Sequence, residues 1–212
     1  MAFGTALAAS NAHPSAPISS QKSCFTGAPP TITFTESLSP SFFNPSITNK
    51  SSENLIVTQF DIGQGDCALF QFPDGSNVII DTGPGWSGGD SFSRGPSQWM
   101  KKQGISNISD LLMTHNHLDH TGGTTSLIND FKVESIWCGG GSFQSINHRY
   151  QIPAAGDTIH YCNKWAIVCM FPEPDYNDMN ENNNSTLVGL YFDSELKGVW
   201  TGDLEKEGEK QF

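Results

Sequence analysis

From Leu55 onward the chain alternates short apolar runs with clusters of turn-forming residues. Leu55-Ile56-Val57-Thr58-Gln59-Phe60, Cys67-Ala68-Leu69-Phe70-Gln71-Phe72 and Asn77-Val78-Ile79-Ile80 are separated by Gly63-Gln64-Gly65-Asp66 and Pro73-Asp74-Gly75-Ser76. Runs this short, rich in β-branched and aromatic residues and bounded by Gly, Pro and Asp, predict an antiparallel meander whose third strand ends at Asp81-Thr82-Gly83. Residues 83–98 are rich in Gly and Ser, with Trp86 and Trp99 near the ends, and read as a flexible loop. Residues 98–104 read as a short helix stopped by Gly104, residues 105–113 as an apolar lead into the next loop, and residues 124–131 as a helix. Residues 132–138 form a further strand, closed by Gly139-Gly140-Gly141. Residues 158–162 and 165–170 pair across Asn163-Lys164, and Pro172-Glu173-Pro174 stops the second of them. After an Asn- and Asp-rich loop over residues 175–184, the runs 187–192 and 199–201 make a last hairpin across a turn over residues 193–198.

Residues 1–54 hold neither a period of 2 nor one of 3.6 and are dominated by Ala, Ser, Pro, Thr and Asn, so they read as a leader and linker of low order. The small residues before a Ser10-Asn11-Ala12 processing site suit the remnant of an export signal, but a basic start and a long apolar core are missing. The division expected is therefore a leader, 1–54, and one domain, 55–212. No window approaches the roughly 18 apolar residues that a membrane-crossing helix needs. Both an exported and a cytoplasmic location stay open.

Composition narrows the partners. The 212 residues carry 22 acidic and 11 basic side chains, a formal charge of -11, and the pI is near 4.7. A surface of that sign does not grip polyanions through Lys and Arg, which is weak evidence against a dedicated DNA-binding module but not against a phosphodiester substrate. Five cysteines lie without any C-x-x-C pair. Their odd number and apolar surroundings predict buried thiols rather than a disulfide framework.

The densest chemistry is Thr114-His115-Asn116-His117-Leu118-Asp119-His120-Thr121-Gly122-Gly123, three imidazoles and a carboxylate within six residues, just after Leu111-Leu112-Met113. In an extended segment alternate side chains share a side, so His115 and His117 can close on one cation while the following turn carries Asp119 and His120 toward a second. His148 and His160 are isolated and are expected to lie outside such a site.

Strand, His-rich loop, Gly-Gly and helix in this order resemble the metallo-β-lactamase superfamily, whose signature His-x-His-x-Asp-His is met by His115, His117, Asp119 and His120. Within it, Phe60-Asp61-Ile62-Gly63-Gln64-Gly65-Asp66, Asn182-Asn183-Asn184-Ser185 and Thr201-Gly202-Asp203 look like the hydrolase domain of ComEC-type bacterial DNA-uptake channels and its free-standing relatives. The resemblance covers about residues 55–212. It implies an α/β protein, an α/β/β/α sandwich, which in this chain is expected to be cut short at its C-terminal side. It also implies two divalent ions, with Asp203 bridging them and Asp119 and Asp203 as the catalytic carboxylates. Asp81 would support the metal loop without touching metal, although a turn or cap role explains it equally well.

Where many superfamily members place a further histidine, this chain has Asn184-Ser185, as the ComEC-type members do. An amide or hydroxyl oxygen is a weaker ligand than imidazole for Zn²⁺, so Zn²⁺ is expected with Mn²⁺ as the alternative. Asn184 or Ser185 is also a candidate for holding substrate oxygens. The last His-containing motif of the resembled domains is missing from this sequence. The expected activity is metal-dependent hydrolysis, first of phosphodiester bonds in DNA or a smaller nucleotide. Alternatives are β-lactam, lactone or thioester hydrolysis, or a metal-binding module without activity.

Overall fold

A computed structural model describes residues 31–34, 54–140, 148–173 and 178–211. Two sheets pack face to face. The first has the order β1 (Thr31–Phe34), β2 (Leu55–Gln59), β3 (Ala68–Gln71), β4 (Asn77–Ile80), β7 (Asn107–Met113) and β8 (Lys132–Cys138). Its first four strands run antiparallel, whereas β4, β7 and β8 are parallel neighbours. The second sheet has the order β12 (Glu195–Trp200), β11 (Leu187–Phe192), β10 (Trp165–Phe171) and β9 (Thr158–Cys162), all antiparallel.

The apolar pattern explains the layering. β10 alternates buried and half-buried residues, as a strand with one covered face should, and its Trp165, Ile167 and Cys169 enter the core between the sheets with Phe70, Val78, Ile80, Leu112 and Leu190. β4 is buried at every position because its other face meets a second core, formed with Phe92, Met100 and Leu127 of the helices α1 (Ser91–Arg94), α2 (Pro96–Lys102) and α4 (Thr124–Asp130). Each such side chain taken from water contributes about 1.5–3 kcal/mol. The mixed α/β architecture expected from the sequence is present.

Three expectations change. Residues 83–98 are ordered rather than a flexible loop: a small ribbon, β5 (Gly85–Trp86) with β6 (Gly89–Asp90), leads into α1. The buried carboxylate of Asp90 accepts from Ser93 N at 2.7 Å, capping α1, and from Ser126 Oγ at 2.6 Å. The α2 helix begins at Pro96, two residues earlier than expected, because proline suits a first helical position. Within the presumed leader, Thr31–Phe34 adds an antiparallel strand to β2. Four residues are too few for a period-2 signal. The processing site at Ala12 and the residue Cys24 lie outside the described residues. Cys67, Cys138, Cys162 and Cys169 are buried and free, as expected.

A polar clamp joins the sheets. Asp110 on β7 accepts from Trp137 Nε1 of β8 at 3.0 Å and meets His160 Nδ1 of β9 at 2.8 Å. The other nitrogen of His160 is 2.8 Å from Ser76 Oγ in the β3–β4 turn, and that hydroxyl donates to Asp74 Oδ1 at 2.6 Å. Serine, imidazole and carboxylate in series have the spacing of a nucleophile relay. Asp74 competes with the ring for the Ser76 hydroxyl, and the group acts as a pin between layers. His160 thus spends both nitrogens here, and His148 is exposed.

His160→Ala should lower stability in urea unfolding by about 2–3 kcal/mol, since it leaves the buried Asp110 carboxylate with Trp137 alone and Oδ2 unmet, whereas Ser76→Ala should cost about 1 kcal/mol. Equal, negligible losses would show that the clamp is idle.

Candidate metal centre

The parallel pairing of β4 with β7 sets Ile80 beside Leu112, so the segments leaving both strands emerge together. Asp81 follows β4 at φ +58 and is 1% exposed. Its carboxylate accepts from Thr114 N and Thr114 Oγ1, both at 2.8 Å, and lies 2.8 Å from His120 Nδ1. Thr82 N donates to His120 O at 2.7 Å, which ties the two segments a second time. A carboxylate on the ring's far nitrogen fixes the imidazole and turns Nε2 toward the site. Nε2 of His120 lies 3.3 Å from Asp203 Oδ1.

His115 is fully buried, and its Nε2 is 3.0 Å from His117 Nδ1. The side chain of His117 is 41% exposed and pairs with Glu181 Oε2 at 3.2 Å. Ligating atoms of His115, His120 and Asp203 lie within 4.8 Å of one another, and so do those of Asp66, Asp81 and His120. Asp119, in the short helix α3 (Leu118–Thr121), is half-buried and accepts from Gln64 Nε2 at 3.2 Å. Of the five residues expected as ligands, the structure therefore gathers His115, His120 and Asp203 most tightly, with His117 against His115 and Asp119 held on the neighbouring loop.

Asn184 and Ser185 are turned to other work. Asn184, in a 3-10 turn over Glu181–Asn184, donates Nδ2 to Asp178 O at 2.9 Å and accepts from Asp178 N at 2.7 Å. Both ends of its amide bond the Asp178 backbone. Ser185 Oγ accepts from Asp203 N at 3.3 Å and so positions that carboxylate's backbone. Asn180 and Asn182 both donate to Glu205 ahead of α5 (Lys206–Glu209), fastening the segment that follows Asp203. Glycines make the close approaches: a Cβ on Gly139 would lie 2.0 Å from Thr186 Oγ1, and one on Gly65 would lie 1.9 Å from Asp119 O.

Three residues at the site went unassigned in the sequence: Asp66, Gln64 and Glu181. Asp66 reads there as one more turn residue. The hint is its place in the motif Gly63-Gln64-Gly65-Asp66 that carries the resemblance, directly before the apolar run from Cys67.

The electrostatics suit cations. Burial, reinforced by Asp81, raises the Asp66 carboxyl to about 6. Burial opposes charge on His120, but hydrogen bonds to Asp203 and Asp81 outweigh it and raise the ring to about 11. Burial, then the neighbouring His120, lowers His115 to about 4, and the bond to His120 lowers Asp203. Carboxylates thus crowd one buried imidazole, which takes up positive charge to compensate. Imidazole nitrogens and carboxylate oxygens at this spacing form a donor set suited to Zn²⁺ or Mn²⁺.

The fold and site define a two-sheet α/β protein with a candidate His and Asp metal centre at the carboxyl ends of parallel strands. Residues 60–159 match the family model for the Metallo-beta-lactamase superfamily. Over that stretch the chain is similar to that superfamily, and its sequence resembles the ComEC-type proteins. It is 27% identical over 197 residues to ComE operon protein 3 of Bacillus subtilis, covering 80% of this chain and 24% of the relative. It is 24% identical over 156 residues to Recombination protein 2 of Haemophilus influenzae, covering 74% and 19%. The chain thus spans a quarter or less of the length of these relatives. Among solved structures, MEM-A1, a subclass B3 metallo-beta-lactamase from a soil metagenome library, aligns with a TM-score of 0.47 at 12% identity, over 68% of this chain and 58% of that one.

Asp81→Asn should weaken divalent-metal binding about 10- to 100-fold by calorimetric titration, because one of the two acceptor oxygens becomes an NH2 donor facing either Thr114 N or the donors at Oδ2. Asparagine tolerates the positive φ as well as aspartate does, so the backbone should stay in place. Unchanged affinity would assign Asp81 to folding alone.

Proposed function

We propose that this domain is a metal-dependent phosphodiesterase acting on nucleic acid, with His115, His117, Asp119, His120 and Asp203 as the metal-holding residues. The observation that carries the reading is the packing of His115, His120 and Asp203 around one centre. Bound divalent ions supply hydroxide at neutral pH by bringing the pKa of water to about 7 and neutralise the charge that develops on a phosphoryl oxygen.

The chain's own residues do the rest. Asp81 takes the Nδ1 hydrogen of His120 and leaves Nε2 free to ligate, while Thr114 locks Asp81 from the strand end. Ser185 sets Asp203, the candidate bridging carboxylate, by accepting its backbone N–H. Asp119, steadied by Gln64, offers a half-exposed carboxylate that can accept a proton from an attacking water. Asp203 at 24% exposure and His117 at 41% form the side open to substrate, while His120 and Asp81 form the closed side.

Nucleic acid is favoured among phosphodiesters by the combined motifs at Gly63-Gln64-Gly65-Asp66, Asn184-Ser185 and Gly202-Asp203 and by the name Recombination protein 2 carried by one relative. The Asn184-Ser185 position lacks the usual imidazole, which supports Mn²⁺ beside Zn²⁺ as the activating ion.

Chelation should abolish cleavage of single-stranded DNA, and Mn²⁺ or Zn²⁺ should restore it. Asp203→Ala should lose about 100-fold or more, comparable to losing metal, since cations held close together would then repel without a carboxylate between them. DNA, a small phosphodiester and a β-lactam should be assayed side by side. Turnover of the β-lactam alone would overturn the nuclease reading, and no turnover with metal bound would make the domain a binding module.

A further inference from the structure

Two arginines occur in this acidic sequence, Arg94 and Arg149. The guanidinium of Arg94 lies 4.5 Å from the centre of the Trp86 ring, and Trp86 is 42% exposed. Trp86 ends β5, and the preceding Gly85 lies so close to Gly122 that a Cβ on it would come within 2.9 Å of Gly122 Cα. Gly122 caps α3, the turn that carries Asp119 and His120. The indole therefore stands on the segment that borders the metal loop.

This tryptophan is held out on a rigid mount. Ser91 N donates to Pro84 O at 2.9 Å behind the ribbon, and Asp90 fastens its far end to Ser93 and Ser126. Gly89 backs the indole edge, where a Cβ would lie 3.2 Å from Trp86 Nε1. On α3 itself Leu118 is 63% exposed, and Met179, next to the Asp178 that secures Asn184, is wholly exposed. Single exposed apolar residues need no explanation, but here three of the large exposed ones lie on segments that build the site.

We propose that Trp86, backed by Arg94, is a stacking platform for a nucleobase of single-stranded nucleic acid next to the scissile phosphodiester. This rests on the phosphodiesterase reading and names how that substrate is held. A chain with twice as many acidic as basic residues cannot rely on a cationic groove, so affinity must come from the metal-held phosphate and from contacts indifferent to charge. Base stacking on an aromatic ring is such a contact and works with every base. Arg94 on the ring adds a cation that holds the indole and can meet an adjacent phosphate. A substrate without a planar group would leave the platform unused.

The test compares two labelled oligomers of equal length, oligothymidylate and a base-free tetrahydrofuran analogue. Binding to the metal-loaded protein is read by fluorescence anisotropy in the cold, where cleavage is slow, with hydrolysis measured in parallel. The natural protein should bind the base-bearing oligomer about 10-fold tighter. Trp86→Ala should erase that preference, Trp86→Phe should keep most of it, and Arg94→Ala should weaken both oligomers while flattening the salt dependence. Equal binding of the two oligomers by the natural protein, no binding of either, or a preference that survives Trp86→Ala, would overturn the platform. Cleavage without base preference would leave the hydrolase reading standing while the platform falls. Base preference without any cleavage would do the reverse.

Discussion

The candidate metal centre is organised by the carboxylate of Asp81, which receives the backbone and hydroxyl of Thr114 and the ring of His120 at the same time. A carboxylate buried to 1% exposure is tolerable only when its lone pairs are met by donors, and here those donors come from two separate segments. The parallel register of β4 and β7 makes this meeting possible. In turn the carboxylate fixes where the histidine loop begins and which nitrogen of His120 faces Asp203. A shift of one residue in that register would carry Thr114 away and leave an uncompensated charge in the interior.

The second constraint is excess negative charge. Hydrogen bonds to Asp203 and Asp81 raise His120 to about 11, and Asp66 is itself pushed up to about 6 by burial and its neighbours. A site of that kind lowers its free energy by taking up cations. The chain as a whole is acidic too, so the site without cations would repel a polyanion. In the proposed reading, bound cations would reconcile the two, and Trp86 with Arg94 would follow the same logic at the rim.

Rigidity is distributed in the same manner. At one end of the sandwich the Asp81 hub ties strand ends together, while Asp110, His160 and Ser76 pin the two sheets through an unrelated set of bonds. The Asn-rich turn and Glu205 do the corresponding work around Asp203, where asparagine side chains cap and brace the backbone. Asn184 shows the consequence. Its amide braces the Asp178 backbone through both its oxygen and its nitrogen.

By itself the sequence determined whatever depends on neighbours along the chain. The period of apolar residues marked β2, β3, β4, β8, β9, β10 and β11, and the spacing of His115, His117, Asp119 and His120 marked a candidate metal loop, because extension and turning are local properties. Tertiary structure decided what depends on where distant segments return. Asp66 reaches His120 across more than fifty residues, His160 is committed to Asp110 on the other sheet, and Glu181 finds His117, none of which leaves a periodic trace. The ribbon at Trp86 and the first turn of α1 were also illegible, since Gly and Ser favour no single local conformation and gained one only when Asp90, Phe92 and Gly122 packed around them.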